Sequence, residues 1–506
     1  MRDAPRATER LGDVVLALDI GTSSTRVLAF TVAGVQVPHV AAAREYQARA
    51  TLDGGSELDM AALEAHALDC LASAAAAVQQ AHGKVLAVGV CTFWHAFVGV
   101  DGSGRAVTPI YLWNDNRSGD QAIQLRRQLD EAAVHGRTGC YLHPSYLAPR
   151  LLWLQQRDPA AYRRCAQFLS PGEYLERAWF GVERCSVSMA SGTGLLNQQT
   201  LRWDEEMLAA VGLVPAHLHT IVAGHTPVHG LRGPAADRVP ALRDVPFFPA
   251  LGDGACSNVG SGAKRTDQAA VMIGTSAAMR VLLPGDARPA PAGLWRYLLD
   301  PDHVLVGGAL SNGGNLYAWL RDTLRVGSEA EIERWLANAQ PGAHGLAVLP
   351  FLAGERNPDY PLHATGMIAG LRLATSPLDL LQAGMEAVAF RLAAIADRLH
   401  AAGPGVQSYL ASGGLLKSPA WVRMITDVLG LPLTISAVPE ASARGAALMA
   451  LQGVGAIPSA LEVEVPVAET LHPDPRRQGA YARAREQHTR LYGLWKADND
   501  ASAHEP

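Results

Sequence analysis

The chain has 506 residues, 48% of them hydrophobic and 18% charged, and a formal net charge of −5. That length predicts two or three domains with ample core, and the absence of a basic block argues against nucleic acid as the main partner. No run approaches the roughly 20 apolar residues that span a bilayer, and residues 1–13 lack the apolar segment of a secretory signal, so no membrane partner is expected.

In chain order, residues 1–10 read as a loose leader. The apolar run 14–20 reads as a strand ending in Ile20-Gly21-Thr22-Ser23, and 26–30 as its β-rich partner. Residues 61–80 are rich in Ala and Leu and predict a helix ended by Gly83; 85–90 predicts a buried strand. Helical spacing follows over 118–136 and 147–165, then loops and short helices over 201–240. The string 247–254 reads as an apolar strand ending in a Gly-flanked Asp, and the lobe boundary falls there. Ser376-Pro377 starts a helix with Ser as cap and Pro at its first position. Its apolar face carries Leu380, Leu381, Met385, Val388, Leu392, Ile395 and Leu399. Another helix begins near Ser418-Pro419. Residues 442–452 form a small-residue helix suited to close packing, 475–495 a charged terminal helix, and 496–506 a frayed tail. The six scattered cysteines, with no CxxC pair, read as reduced, mostly buried thiols of a cytoplasmic protein, neither a zinc site nor a disulfide frame.

The most informative pattern is a repeat. Ile-Gly-Thr-Ser recurs at 273–276, again between two β-rich stretches. Each copy predicts a hairpin whose tip offers hydroxyls and backbone N–H groups, donors suited to phosphate oxygens. Two such tips half a chain apart suggest a duplicated lobe with a nucleotide between the copies. Asp19 precedes the first tip and Met272 the second. A carboxylate beside a phosphate is costly unless a cation lies between them, so Asp19 predicts a divalent metal.

Three further strings carry chemistry. Asp253 lies between Gly252 and Gly254 at a strand end, open to close approach and able to accept a proton from a hydroxyl; the plain alternative is a turn Asp capping the next helix. Ser412-Gly413-Gly414 follows an apolar strand and precedes a helix, which lets a base or ribose lie against backbone. Phe93-Trp94-His95 and Trp113-Asn114-Asp115-Asn116-Arg117 gather aromatic, amide and charged groups at two loop starts, a mixture suited to a polyhydroxylated ligand. The chain has neither a P-loop G-x-x-x-x-G-K-[ST] nor a G-x-G-x-x-G after a strand.

From about Val14 to about Trp495 these residues resemble the FGGY carbohydrate kinases, within the actin/Hsp70-like ATPase superfamily. The first tip, Asp19 to Arg26, is similar to the family's first phosphate loop. Gly366 to Leu371, continuing to Asp379, Leu380 and Glu386, is similar to a family signature in which Gly384 is atypical. Within the family, the strings 113–118, 142–144, 253–258 and 311–322 are most similar to those of bacterial gluconate kinases; 352–356 agrees too, but is shared more widely.

The resemblance implies an α/β fold of two duplicated RNase H-like (actin/Hsp70-type) lobes with a cleft between them. It implies residues 1–252 as the sugar-binding lobe and 253–495 as the nucleotide-binding lobe. It implies ATP and Mg²⁺ as cofactors, Asp253 as catalytic base and Asp19 as the metal residue. Thr22, Ser23, Arg26, Gly274, Thr275, Gly314, Gly413, Gly414 and Ser418 would face ATP. Trp94, His95, Trp113, Asp115, Arg117, Ser145, Arg150 and Asp253 would face the sugar, with Arg117 or Arg150 as candidates for a substrate carboxylate. Arg150 stands where a lysine is usual and Trp94 where methionine is frequent. D-gluconate is the implied substrate, a pentulose (xylulose or ribulose) or glycerol the alternative, and a non-catalytic ATP-binding sensor the remote one. A homodimer is implied by the family likeness alone.

Overall fold

The computed structural model describes residues 11–286, 288–403 and 405–502; the expected loose leader lies outside them. Both repeated tetrapeptides form the predicted hairpins. In the first lobe β1 (Asp13–Ile20), β2 (Ser24–Thr31) and β3 (Gln36–Glu45) pair antiparallel, with Asp19 opposite Arg26. After α1 (Met60–Gln80) the strand β4 (Lys84–Thr92) lies parallel to β1. The helix α2 (Leu147–Arg157) comes from the long insertion before β5 (Leu251–Gly252), which closes the sheet beside β4. The expected strand 247–254 is therefore only two residues long, because Phe247 makes isolated bridges to Val88 and Val228 instead. The chain then enters α3 (Asp253–Ser261).

The second lobe repeats this frame. Strands β6 (Gln268–Ile273) and β7 (Ala277–Pro284) form the second hairpin. The edge strand β8 (Trp295–Asp300) precedes β9 (His303–Leu310), which pairs antiparallel with β7. Two helices, α4 (Gly314–Thr323) and α5 (Pro377–Ala401), lead to β10 (Ser408–Ser412), parallel to β6. Next come α6 (Pro419–Leu429), β11 (Leu433–Ser436), α7 (Ala441–Gly453), β12 (Val467–Leu471) and α8 (Pro475–Ser502). The first sheet runs β5-β4-β1-β2-β3, and the second contains β11-β10-β6-β7-β9 with β8 and β12 at its edges. Order and strand direction agree one for one, so the duplication inferred from a tetrapeptide is a duplication of topology.

Local chemistry explains the helices. Ser376 and Asp379 form a reciprocal capping box at the start of α5, with Pro377 at its first position. Six of the seven predicted face residues of α5 are buried, and Leu380 is half-buried. Each fully buried Leu or Ile there stabilises the fold by about 2 kcal/mol. Gly384, the departure from the signature, is where α5 meets α4: a Cβ would lie 2.5 Å from the Leu320 side chain. Glu386 is structural, accepting from the Gly342 N–H at 3.1 Å and the Gln382 amide at 2.8 Å.

Two expectations are corrected. By length and composition α1 is apolar enough to cross a membrane, contrary to the sequence reading. It nevertheless packs as a core helix on β2 and β3, burying Leu63, Ala67, Leu71, Ala74 and Val78 at helical spacing. The terminal helix α8 continues to Ser502, past the expected fraying point at 496.

The lobes meet through bare backbone. At the crossing of α3 with α7, a Cβ on Gly260 would lie 1.8 Å from the Ala441 carbonyl oxygen, and one on Gly445 would lie 1.9 Å from that of Cys256. The same helix α7 lies on β1 and β4 of the first sheet, where Gly89 gives it room against the Ala446 carbonyl. The expectation of close packing over 442–452 is met here.

Candidate active site

The first tip is fixed from outside by Tyr46, whose hydroxyl donates to the Gly21 carbonyl at 2.6 Å and whose N–H donates to Ser23 O at 2.9 Å. The second is fixed by α4: Gly314 N–H donates to Gly274 O at 2.8 Å and Asn315 N–H to Thr275 O at 3.0 Å. Close approach demands glycine here, since a Cβ on Gly314 would lie 2.5 Å from Gly274 O. The turn after β10 reaches the same place: Gly413 adopts φ +82°, and a Cβ on Gly414 would lie 3.2 Å from Ile273 O. Thus Gly274, Thr275, Gly314, Gly413 and Gly414 converge. Among the described residues the hydroxyls of Thr22, Ser23 and Thr275 have no protein partner and stay available to a ligand. Ser418 instead caps α6, accepting from Trp421 N–H at 3.2 Å and donating to Glu333.

Asp253 occupies the first turn of α3, a favourable place for a negative charge. Burial nevertheless pushes its carboxyl up to about 6; the charges of Arg280 and Arg356 and the Gly254 N–H oppose this, and Asp19 adds to it. Asp19 and Asp253 therefore share one electrostatic environment. Asp19 is buried, accepting from Arg26 Nη2 at 2.7 Å and from the Cys91 thiol. The other Arg26 nitrogen, Nη1, holds Glu440 of the second lobe at 2.7 Å.

The sugar-side strings also come together. Trp94 lies under Gly252 and Gly254 and donates from its indole nitrogen to Ser188 O at 2.9 Å. His95 sits at φ +62°, its ring packed 5.1 Å from Tyr146 and 5.2 Å from Tyr297. Burial pushes it down to about 3, so it is neutral. Across the cleft the Tyr146 hydroxyl meets those of Tyr297 at 2.7 Å and Tyr360 at 3.0 Å. His143, also neutral by burial, bonds Ser145 Oγ at 3.1 Å.

Three residues expected at the sugar are bound to protein instead. Asp115 accepts from Ser56 N–H at 3.2 Å and from Arg117, and Arg117 also donates to Glu57 at 2.7 Å while stacking 4.4 Å from Trp153. Arg150 is fully buried and donates to the carbonyls of His95, Tyr111, Leu112, Ser145 and Tyr146. Its guanidinium fixes the strained His95 backbone and has no face left for a ligand.

Sequence reading missed Glu440 and the tyrosine cluster, and quoted Arg280 and Arg356 only within strings. The signal for Arg280 was a lone charge in the apolar stretch 277–283; Glu440 and the tyrosines gave none.

Two family models match the chain. The FGGY family of carbohydrate kinases, N-terminal domain, matches residues 14–260, and its C-terminal domain matches 269–453. The chain is 27% identical to the gluconokinase of Bacillus licheniformis over 92% of both chains. It is 30% identical to the xylulose kinase of Streptomyces rubiginosus over 87% of this chain and 88% of that one. A crystal structure of gluconate kinase from Lactobacillus acidophilus superposes with a TM-score of 0.88 at 22% identity, covering 97% of this chain and 99% of that one. The chain belongs to the FGGY family of carbohydrate kinases. It is a phosphotransferase that takes its phosphoryl group from ATP and acts on a small sugar-type substrate.

Proposed function

We propose that this kinase phosphorylates a sugar acid, D-gluconate, to 6-phosphogluconate. The observation that carries this reading is the charge of the sugar pocket. Its aromatic and histidine walls are neutral; Arg126 is paired with Glu131, but the positive charges of Arg150 and Arg356 reach both His143 and His95. A pocket of that sign favours an anionic polyol over a neutral one.

Asp253 accepts the proton of the attacking hydroxyl, a role suited to a carboxyl poised near 6. Thr22, Ser23, Arg26, Gly274 and Thr275 steady the phosphates, and Gly314, Gly413 and Gly414 lie along the adenosine. Phosphoryl transfer has a loose transition state, so such positioning and charge stabilisation supply most of the rate. The residues fit Mg²⁺: Asp19 offers hard carboxylate oxygen beside the first tip, suited to an ion bound by one or two carboxylates and phosphate oxygens. Bound there through Asp19, the ion would neutralise phosphate charge.

The pentulose alternative is supported by the xylulose-kinase relative. ADP release measured with ATP and Mg²⁺ against gluconate, xylulose, ribulose and glycerol separates the two. Stimulation by gluconate alone is expected; stimulation by a pentulose alone would discard the gluconate reading and keep the kinase.

A further inference from the structure

Resting on the sugar-acid reading, we propose that Arg356, on the second lobe, is the residue that receives the substrate carboxylate. Neither arginine suggested by sequence has the freedom to do so. Arg117 is engaged by Glu57 and Asp115, and Arg150 by five backbone carbonyls.

Arg356 is more than nine-tenths buried, yet its donors are largely unspent. One nitrogen, Nη2, donates to Leu310 O at 3.0 Å; Nε is buried without a partner, and Nη1 makes no bond to the described residues. No carboxylate among the described residues forms an ion pair with it. The carboxyls of Glu355 and Asp253 feel its charge without pairing with it; a buried guanidinium without a paired counter-ion is costly, and a ligand carboxylate, held by two parallel N–H bonds, is the group that offsets this cost.

The position fits. The guanidinium lies 4.7 Å over the ring of Trp113, so its plane is held by an aromatic shelf from the opposite lobe. Its charge reaches His95, Tyr297 and Asp253. Arg356 and Asp253 are thus neighbours, but farther apart than an ion pair. That separation suits a chain whose one end is a carboxylate and whose other end is the hydroxyl that Asp253 deprotonates. Arg280, another buried arginine with an unpaired nitrogen, serves the base instead: it is anchored on Asn258 Oδ1 at 2.7 Å beside Gly254.

The test uses the full chain with a non-hydrolysable ATP analogue and Mg²⁺. Calorimetry compares D-gluconate with D-glucitol, which carries CH₂OH in place of the carboxylate. In Arg356→Gln gluconate affinity falls at least 50-fold, while glucitol and nucleotide affinities change less than threefold; Arg356→Lys, which keeps charge but loses the fork, lies between. Unchanged gluconate affinity in Arg356→Gln, or equal losses for both ligands, overturns the assignment and leaves the sugar-acid reading standing. Failure of the wild-type chain to bind any aldonate overturns both. Nucleotide binding reports folding of each variant, and if Arg356→Gln does not fold, a gluconate affinity in Arg356→Lys equal to wild type overturns the assignment.

Discussion

Arg26 and Glu440 meet across the boundary between the lobes, Nη1 to Oε2 at 2.7 Å, while the same guanidinium holds Asp19. Burial works against the charge of Arg26, yet the two carboxylates together hold it above its ordinary value. Both partners of the cross-lobe pair are about one-third exposed, so the pair contributes roughly 1 kcal/mol or less to stability. Its effect belongs to ligand binding. Arg26→Gln is expected to raise KM for ATP about tenfold, and Glu440→Gln, which removes a negative charge near the phosphate tips, to lower it two- to fivefold at low salt. Steady-state kinetics at two ionic strengths check both. An unchanged KM in Arg26→Gln would take Arg26 out of phosphate binding.

The proposed role of Asp253 as base predicts a pH dependence. As a base it must be ionised, so kcat/KM should fall about tenfold per unit below pH 6 and level off above it. Asp253→Asn should abolish transfer and retain ATP binding; near-normal turnover would refute the assignment. Stability has the opposite sense. Folding raises this carboxyl from 3.8 to about 6, so the stability it contributes is complete below pH 3.8 and lost as pH rises through 6. Asp253→Asn should therefore melt above the wild type at pH 8, the gap narrowing toward pH 4 in thermal scans.

Arg150 is expected to act through the fold. Arg150→Met removes the guanidinium shared by five carbonyls, of which Tyr111 O and Leu112 O keep the Phe97 and Asp115 N–H groups, and leaves the φ +62° backbone of His95 without this support. A loss of about 3 kcal/mol or more follows, read by urea unfolding. A variant of wild-type stability with selectively weakened sugar binding would return Arg150 to the ligand.

At the lobe crossing, Gly445→Ala places a methyl group against the Cys256 carbonyl. The expected cost is about 1–3 kcal/mol, or a forced separation of the helices. Thermal unfolding and small-angle scattering distinguish the two; no change in either would show that the crossing yields freely.

The frame was legible in sequence because a tetrapeptide with flanking β-rich runs marks a hairpin by itself, and Ser376-Pro377 or Ser418-Pro419 marks a helix start by local hydrogen bonding. The converging glycine turns were legible for the same reason: glycine is required wherever backbones touch, as at Gly314. The polar sugar residues were not. Asp115, Arg117 and Arg150 have the chemistry of ligand contacts, and only their neighbours show how fully it is engaged. The tyrosines at 146, 297 and 360 are scattered through the sequence and meet only because the lobes face each other.

The repeated frame also has a handedness of charge. The carboxylate of Asp19 in the first copy is answered in the second by the thioether of Met272, which accepts only the Ser257 hydroxyl at 3.8 Å. A triphosphate laid between the tips would find a cation's anchor at one end and none at the other. Two halves alike in backbone are thereby made non-interchangeable, and a nucleotide in the proposed site would have one way round in which to lie.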